Sequence, residues 1–168
     1  EEDKLELEPT TFSIDMLIKD LTKIIRPKLN EKPTLEFIVK YDKNLKLFHD
    51  QTRIMQILLN LVSNSIKYTH NGSITVIIEE QLDKVKFIVE DTGIGIDEDK
   101  KIRIFKPYEQ IQFQNNTRYG GIGLGLYLCK LVVTNMRGII DFESEVDKGS
   151  TFYFIIDKEF HNGTIHNV

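Results

Sequence analysis

Residues 50–68 read DQTRIMQILLNLVSNSIKY, and this stretch has the pattern of a long amphipathic helix. Apolar or small side chains recur at helical spacing along one face, at Ile54, Ile57, Leu58, Leu61, Val62 and Ser65. Asp50 stands directly before the first turn, where its side chain can accept a hydrogen bond from a free backbone N–H. The pattern therefore predicts a helix that begins after Asp50 and packs its apolar face against a core.

A polar stripe runs beside that apolar face. Asn60 and Asn64 are one turn apart, and Lys67 and Tyr68 follow on the next turn. Asparagine has no propensity advantage inside a helix, so two of them on a helix this apolar require partners. Amide oxygens are suitable ligands for Mg²⁺, and a lysine one turn later can meet phosphates that the ion bridges. Taken alone, the stripe is better explained as a pair of surface amides.

Residues 86–96, KFIVEDTGIGI, predict a strand that ends at a binding rim. The apolar run stops at Asp91, and Gly93 and Gly95 follow, with isoleucines between and after them. Because a connecting loop is normally polar, these isoleucines must be held against the protein while the glycines let backbone approach closely. Residues 73–79, SITVIIE, read as the antiparallel partner of this strand across a short turn.

Weaker signals define the other elements. We expect a first long helix capped by Ser13 and stopped by Pro27, and a short helix from Asp97 to about Ile104. Residues 106–120 are polar and aperiodic, which predicts a functional lid or a disordered loop. Two short strands are predicted at 35–39 and 45–48, and a third long helix at 123–136. A closing hairpin is predicted from strands at 139–144 and 150–156.

Composition limits the class of protein. A chain of 168 residues that is 40% hydrophobic can form one domain with an apolar core. Its formal net charge of -4, without a long basic run, argues against nucleic-acid binding. The single Cys129 excludes an internal disulfide and a zinc set, and we expect it in the core. The chain has no apolar stretch of 18 residues and begins without methionine, so we expect a fragment of a longer protein with no direct membrane contact.

The glycine-rich stretches fit neither of the two familiar nucleotide loops. The Walker pattern GxxxxGK[ST] is absent, and the dinucleotide pattern GxGxxG fails at Glu98 in one stretch and at Leu126 in the other. The second stretch, GGIGLGL at 120–126, stands at the start of a predicted helix, where unpaired N–H groups can bind an anion. The alternative is that these glycines only permit tight helix packing.

Four motifs stand in a fixed order along the chain: NLVSNSIKYT, DTGIGI, IFKPYEQ and GGIGLGL. Together they resemble the ATP-binding catalytic domain of sensor histidine kinases, within the ATPase group that also holds gyrase B, MutL and the large heat-shock chaperone. The resemblance implies an α+β fold, a two-layer sandwich with three long helices packed on a mixed, mostly antiparallel sheet. It divides the chain into 1–11, trailing from missing dimerisation helices, the catalytic domain at 12–158, and a tail or linker at 159–168.

The resemblance also implies site residues and the cofactors ATP and Mg²⁺. Asp91 would bind the adenine amino group, and Asn64, with Asn60 near it, would bind Mg²⁺. Lys67 would contact a phosphate. Asn60, Asn64 and Lys67, all on the predicted helix at 50–68, would be the catalytic residues. The implied ATP-binding residues are Asn60, Asn64, Lys67, Tyr68, Asp91, Gly93, Gly95, Ile96, Arg118, Gly121, Ile122, Gly123, Leu124 and Gly125.

Some positions in and beside the predicted lid carry two interpretations. Phe105, Pro107 and Tyr108 match the family's aromatic anchor, although Phe105 fits a core aromatic equally well. Arg118 is either a contact for the γ-phosphate or a solvated charge. At Ile122 the family usually has threonine or serine, which leaves lid closure in question. The PYEQ spelling with a later TR resembles kinases of hybrid architecture, which carry receiver domains.

Asn60 separates the candidate reactions. Hydrolytic members of the group have a glutamate there as general base for water, and an amide takes no proton at neutral pH. We therefore expect a histidine kinase, in which positioning and charge neutralisation supply the catalysis. A degenerate module that binds a nucleotide or a partner without phosphotransfer, which Ile122 favours, and a hydrolytic ATPase remain the alternatives.

The phosphate acceptor is not expected in this chain. Its histidines are His49, His70, His161 and His166, and none has the sequence context that the family phosphorylates. We expect all four to be surface residues. The implied partners are the phosphoacceptor helices of the parent kinase and a response-regulator receiver domain, and the implied location is cytoplasmic.

Overall fold

The computed structural model describes residues 5–107 and 125–162. Within these ranges, no helix is both long enough and apolar enough to cross a membrane. The elements follow in the order β1 (Thr10–Ser13), α1 (Ile14–Asn30), β2 (Leu35–Lys40), β3 (Lys46–His49), α2 (Gln51–Tyr68), β4 (Gly72–Gln81), β5 (Lys84–Asp91), α3 (Glu98–Lys101), α4 (Gly125–Asn135), β6 (Ile139–Glu145) and β7 (Gly149–Asp157).

Five strands form one mixed sheet in the order β2-β4-β5-β7-β6. β2 runs parallel to β4, and the other neighbouring pairs are antiparallel. The mixed, mostly antiparallel sheet that the family resemblance implies is therefore confirmed. A second, two-stranded sheet pairs β1 with β3 and was not predicted. β1 offers too little pattern for prediction, because Phe12 is its only buried side chain.

The described ranges hold four helices where the resemblance implied three long ones, because α3 adds a helix of four residues. The other three, α1, α2 and α4, cover one face of the five-stranded sheet. Along β4 and β7, buried side chains mostly alternate with more exposed ones, as expected for a sheet packed on one side. In β5 the alternation is interrupted by Ile88, which is 8% exposed between the buried Phe87 and Val89. Phe87 of β5 and Phe154 of β7 stack in this core with ring centroids 4.6 Å apart. α2 lies between α1 and α4 and contacts β4 and β5. The two-layer sandwich is confirmed, and α2 is the central helix over the sheet.

The first helix begins as predicted and ends later. Ser13 caps α1 by accepting a hydrogen bond from Met16 N–H. Pro27 does not stop the helix but lies inside it, which corrects that prediction. Proline removes one intrahelical hydrogen bond, yet its fixed φ is compatible with a helix. Leu29, two residues later, packs against the core and holds the last turn.

Burial at the start of α2 also differs from prediction. Asp50 caps the helix, accepting from Arg53 N–H at 3.0 Å, as expected. The preceding His49 is fully buried, so the prediction that all four histidines lie at the surface is wrong. β1 pairs with His49, and the ring of Phe160 packs against it with centroids 5.1 Å apart. His70 and His161 are exposed, whereas His166 lies outside the described residues.

Two further predictions were tested only in part. The short helix begins after Asp97 but ends at Lys101, with turns over 102–105 in place of its predicted last residues. Of the predicted lid, 106–120, all but the first two residues lie outside the described ranges. Cys129 is buried, and burial raises the pKa of its thiol to about 12, which agrees with the predicted core position.

The segments expected to flank the domain contact it. Leu7 is buried, and Glu8 N–H donates to Asp50 Oδ2 at 2.9 Å. At the other end, Phe160 is buried, and its N–H donates to the Phe48 carbonyl at 2.7 Å. Both segments thus cover the region where α2 begins. The domain limits of 12 and 158 remain predictions.

Candidate functional site

Asp91 is the last residue of β5, and its carboxylate is fixed on both oxygens. Oδ1 accepts from Gly93 N–H at 3.0 Å and from Ser150 N–H at 3.2 Å. Oδ2 accepts from the Ser65 hydroxyl of α2 at 2.9 Å. Burial raises the pKa of Asp91 above its ordinary value, and these three hydrogen bonds oppose the rise. The site therefore holds a partly buried carboxylate in one orientation.

The two glycines after Asp91 lie where no side chain fits. A β-carbon on Gly93 would lie 2.5 Å from the Tyr68 carbonyl oxygen and 2.8 Å from Thr69 Oγ1. Gly95 has a φ of +72°, and a β-carbon there would overlap the Glu145 carbonyl. Both glycines are therefore required by close backbone approach, as the sequence pattern predicted.

The isoleucines of this loop are held from two sides. Ile94 N–H donates to the Tyr68 carbonyl at 3.2 Å, and the Ile94 carbonyl accepts from Asp147 N–H at 2.8 Å. Ile96 N–H donates to the Ser144 hydroxyl at 2.9 Å, and the Ile96 side chain is buried. The loop is thus fastened between the end of α2 and the turn between β6 and β7.

Asn60, the first residue of the polar stripe of α2, lies beside the start of α4. Asn60 Nδ2 donates to the Gln56 carbonyl at 3.1 Å, which orients the amide. A β-carbon on Gly125 would lie 3.1 Å from Asn60 Oδ1, so the first turn of α4 approaches this oxygen. Asn64 is half-buried one turn later. The structure therefore places an oriented amide oxygen beside a helix start.

Lys67 and Tyr68 complete the stripe at the end of α2. The Lys67 ammonium lies 5.5 Å from the centroid of the Tyr68 ring. Burial lowers the pKa of Lys67, and the charge of nearby Lys28 lowers it further. The Lys67 side chain is thus a half-buried cation at the end of α2.

Besides Ser65, whose hydroxyl donates to Asp91, sequence reasoning missed two contributors to the site. Lys32, after α1, donates to the carbonyls of Ile66, Lys67 and Thr69 at 2.5, 3.3 and 3.3 Å. These bonds satisfy backbone carbonyl groups at the C-terminal end of α2. The Thr69 hydroxyl is fully buried, and it has no hydrogen-bond partner among the described residues. Thr69 Oγ1 lies 2.8 Å from the β-carbon position of Gly93, so this side chain fills the space beside Gly93. A single lysine or threonine in the sequence gives no sign of either role.

The site residues predicted in the described ranges fall into two groups around α2. Asp91, Gly93 and the end of α2 form one group, and Asn60 and Gly125 form the other. Predicted residues outside the described ranges are Arg118, Gly121, Ile122, Gly123 and Leu124.

Phe105 has the environment of a core aromatic. Its ring meets Phe142 and Phe152 edge-on, with centroids 5.7 and 6.4 Å apart. Pro107 is exposed beside it. Tyr108, the third residue of the predicted anchor, lies outside the described ranges, so the anchor role remains a prediction.

The site offers no cluster of charged metal ligands. Nowhere in 5–107 or 125–162 do three His, Cys, Asp or Glu side chains come together in a way that could hold an ion. A divalent ion here would depend on amide oxygens together with oxygens from a ligand.

Comparison with known proteins places the chain in a family. Residues 49–159 match the model of the family described as "Histidine kinase-, DNA gyrase B-, and HSP90-like ATPase". The signal transduction histidine-protein kinase BarA of Escherichia coli K12 is 34% identical over 168 residues, covering 96% of this chain and 18% of BarA. The chain thus spans less than a fifth of the length of this curated relative.

Solved structures agree with this assignment. A full-length ShkA in complex with AMPPNP has a TM-score of 0.81 and 26% identity, covering 95% of this chain and 33% of that one. The histidine kinase ThkA in complex with the response regulator protein TrrA has a TM-score of 0.74 and 30% identity, covering 90% of this chain and 42% of that one. The chain therefore belongs to the histidine kinase-, DNA gyrase B- and HSP90-like ATPase family, as an ATP-binding catalytic domain of the histidine kinase type.

Proposed function

We propose that this chain binds ATP with Mg²⁺ and transfers the γ-phosphate to a histidine on dimerisation helices of its parent protein. The observation that carries the proposal is the Asp91 carboxylate, fixed at the end of β5 by hydrogen bonds to both oxygens. A fixed, partly buried acceptor beside a loop that carries two glycines suits a flat base that carries an amino group.

The base would lie against the loop after β5. Asp91 would accept from the amino group, Gly93 and Gly95 would let the backbone of the loop approach the ring system, and Ile96 and Tyr68 would line its faces. The fixed acceptor Asp91 is the feature of this part of the site that supports a purine with an amino group.

The polyphosphate would lie along the stripe of α2. Asn64 and Asn60 supply the amide oxygens for Mg²⁺, and the half-buried Lys67 supplies a cation for a phosphate. When bound, Mg²⁺ neutralises charge that develops on the phosphate oxygens. The start of α4 at Gly125 would add backbone N–H groups, as the start of a helix can. Arg118, Gly121, Ile122, Gly123 and Leu124 remain predicted contacts.

Asn60 favours transfer over hydrolysis. Its Nδ2 is committed to the Gln56 carbonyl, and its oxygen is an amide oxygen with no basicity at neutral pH. A water molecule beside it would keep its proton. The site therefore orients and neutralises the phosphate, and the nucleophile comes from elsewhere.

The proposed partners follow from this reaction. The acceptor histidine would belong to the parent's dimerisation helices, and a response-regulator receiver domain would take the phosphate next. The ThkA complex with TrrA supports the second partner. We also propose a hybrid parent kinase and a cytoplasmic location for this domain.

Nucleotide affinity tests the proposal. By calorimetry, ATP should bind more tightly than GTP, and Asp91→Asn should lower ATP affinity by roughly tenfold or more, because an amide N–H would face the adenine amino group. Asp83→Asn is the matched control, since Asp83 is exposed in the turn at the opposite end of β5. Equal ATP affinity in the wild type and in Asp91→Asn would refute the adenine assignment. ATP binding without phosphotransfer to the parent's dimerisation helices, when these are supplied, would favour the degenerate module.

A further inference from the structure

We infer that Ser65 is a positioning residue for base recognition, whose hydroxyl directs Asp91 Oδ2 at the ligand and keeps that oxygen an acceptor. The inference rests on the proposed function, in which Asp91 binds the adenine amino group. The family resemblance assigns no role to Ser65. From the sequence, Ser65 was predicted only to lie on the apolar face of α2.

The geometry makes this hydroxyl a fixed donor. Ser65 is 2% exposed, and it stands on a helix face that is otherwise isoleucine, leucine and valine. A hydroxyl buried among such side chains is costly unless it is hydrogen-bonded. Its Oγ lies 2.9 Å from Asp91 Oδ2, 26 residues away in the chain. The bond therefore joins α2 to the end of β5 at the site itself.

The remaining acceptor capacity of Asp91 follows from its partners. A carboxylate offers about four lone-pair positions, two on each oxygen. Both positions on Oδ1 are occupied by the N–H groups of Gly93 and Ser150. Ser65 occupies one position on Oδ2. One acceptor position therefore remains, and the direction of the Ser65 bond determines where it points.

The same bond controls where a proton could bind. Burial raises the pKa of Asp91, and the three groups that oppose the rise, from α2, the loop and β7, are all neutral donors. Without Ser65, both remaining donors would bind Oδ1, and Oδ2 would be left without one. A proton would then settle on Oδ2, which faces the ligand. A protonated Oδ2 donates and so repels an amino group, whereas it accommodates a carbonyl oxygen such as that of guanine.

The test compares the 168-residue wild type with Ser65→Ala. NMR of ¹³C-labelled aspartate follows the titration of the Asp91 carboxyl without nucleotide, and calorimetry gives ATP and GTP affinities from about pH 8 to about pH 5. Ser63→Ala is the matched control, since Ser63 lies on the same helix and its hydroxyl accepts from Lys28 Nζ at 3.1 Å, away from Asp91. Alanine keeps the helix propensity high, so Ser65→Ala should fold.

Ser65→Ala should move the Asp91 titration to higher pH. Its ATP affinity at the acid end should fall about tenfold further than that of the wild type, with a smaller preference for ATP over GTP. Ser63→Ala should match the wild type in both measurements. An unchanged Asp91 titration in Ser65→Ala would overturn the inference, as would a shifted titration with an unchanged pH dependence of ATP affinity. If the wild type binds no ATP, the proposed function falls together with the inference, and the NMR titration still shows whether the Ser65 bond exists.

Discussion

The low pKa of the buried His49 should make the domain less stable in mild acid, because the unfolded chain binds a proton there more readily than the folded chain. Burial lowers the pKa of His49 from 6.5 to about 4, although Asp50 and Asp157 pull it upward. As the pH falls below 6.5, the unfolded chain takes up a proton at His49 first, so the folded state loses stability. The loss grows until the pH reaches the folded pKa and is constant below it. At about 1.4 kcal/mol per pKa unit, this amounts to roughly 3 kcal/mol of unfolding free energy.

The assay is urea unfolding at several pH values between about 7 and 4. His49→Phe keeps an aromatic ring against Phe160 and removes the titration, so the stability difference between wild type and variant should shift by roughly 3 kcal/mol across this range. His161→Gln is the control, because His161 is exposed. A stability difference between wild type and His49→Phe that stays constant with pH would refute the account of His49.

Two further variants test parts of the site. Asn64→Ala should abolish the Mg²⁺ dependence of ATP affinity, because a methyl group supplies no oxygen ligand, whereas Ser63→Ala should leave it intact. If calorimetry with and without Mg²⁺ still differs as in the wild type, the ion binds elsewhere. Lys32→Met should lower the unfolding free energy by about 1 to 2 kcal/mol, because the hydrogen bonds to the carbonyls at the C-terminal end of α2 are lost. Lys23→Met is the control and should change the unfolding free energy little, because Lys23 is exposed on α1. Equal stability of the two lysine variants would contradict the capping role.

The local parts of the fold were predictable from the sequence. Residues 50–68 carry both the apolar period and the Asp50 cap, and periodicity and caps depend only on neighbouring residues. Asp91 and the glycines after it were predictable as a rim, because apolar side chains between spaced glycines are unusual in a plain connecting loop. Even locally, the prediction for Pro27 was wrong, since packing of Leu29 outweighs one lost hydrogen bond.

Contacts between distant segments were not predictable. Ser65 reaches Asp91 across 26 residues, and Lys32 reaches the end of α2 across 34. The burial of His49 depends on β1 and on Phe160, which cover it from opposite ends of the chain. Because a side chain's partner is set by the tertiary fold, residues of this kind carry no sequence signal of their own.

The measurement that tests the central claim most directly is incubation with γ-labelled ATP and Mg²⁺. The chain alone should bind ATP but acquire no lasting label, because the acceptor histidine belongs to the dimerisation helices. It should hydrolyse ATP slowly, because Asn60 replaces a general base. Addition of the parent's dimerisation helices at high concentration, to offset the lost tether, should produce an acid-labile label on a histidine of those helices. Strong labelling of the chain itself, rapid hydrolysis, or no transfer to the supplied helices would contradict the kinase assignment.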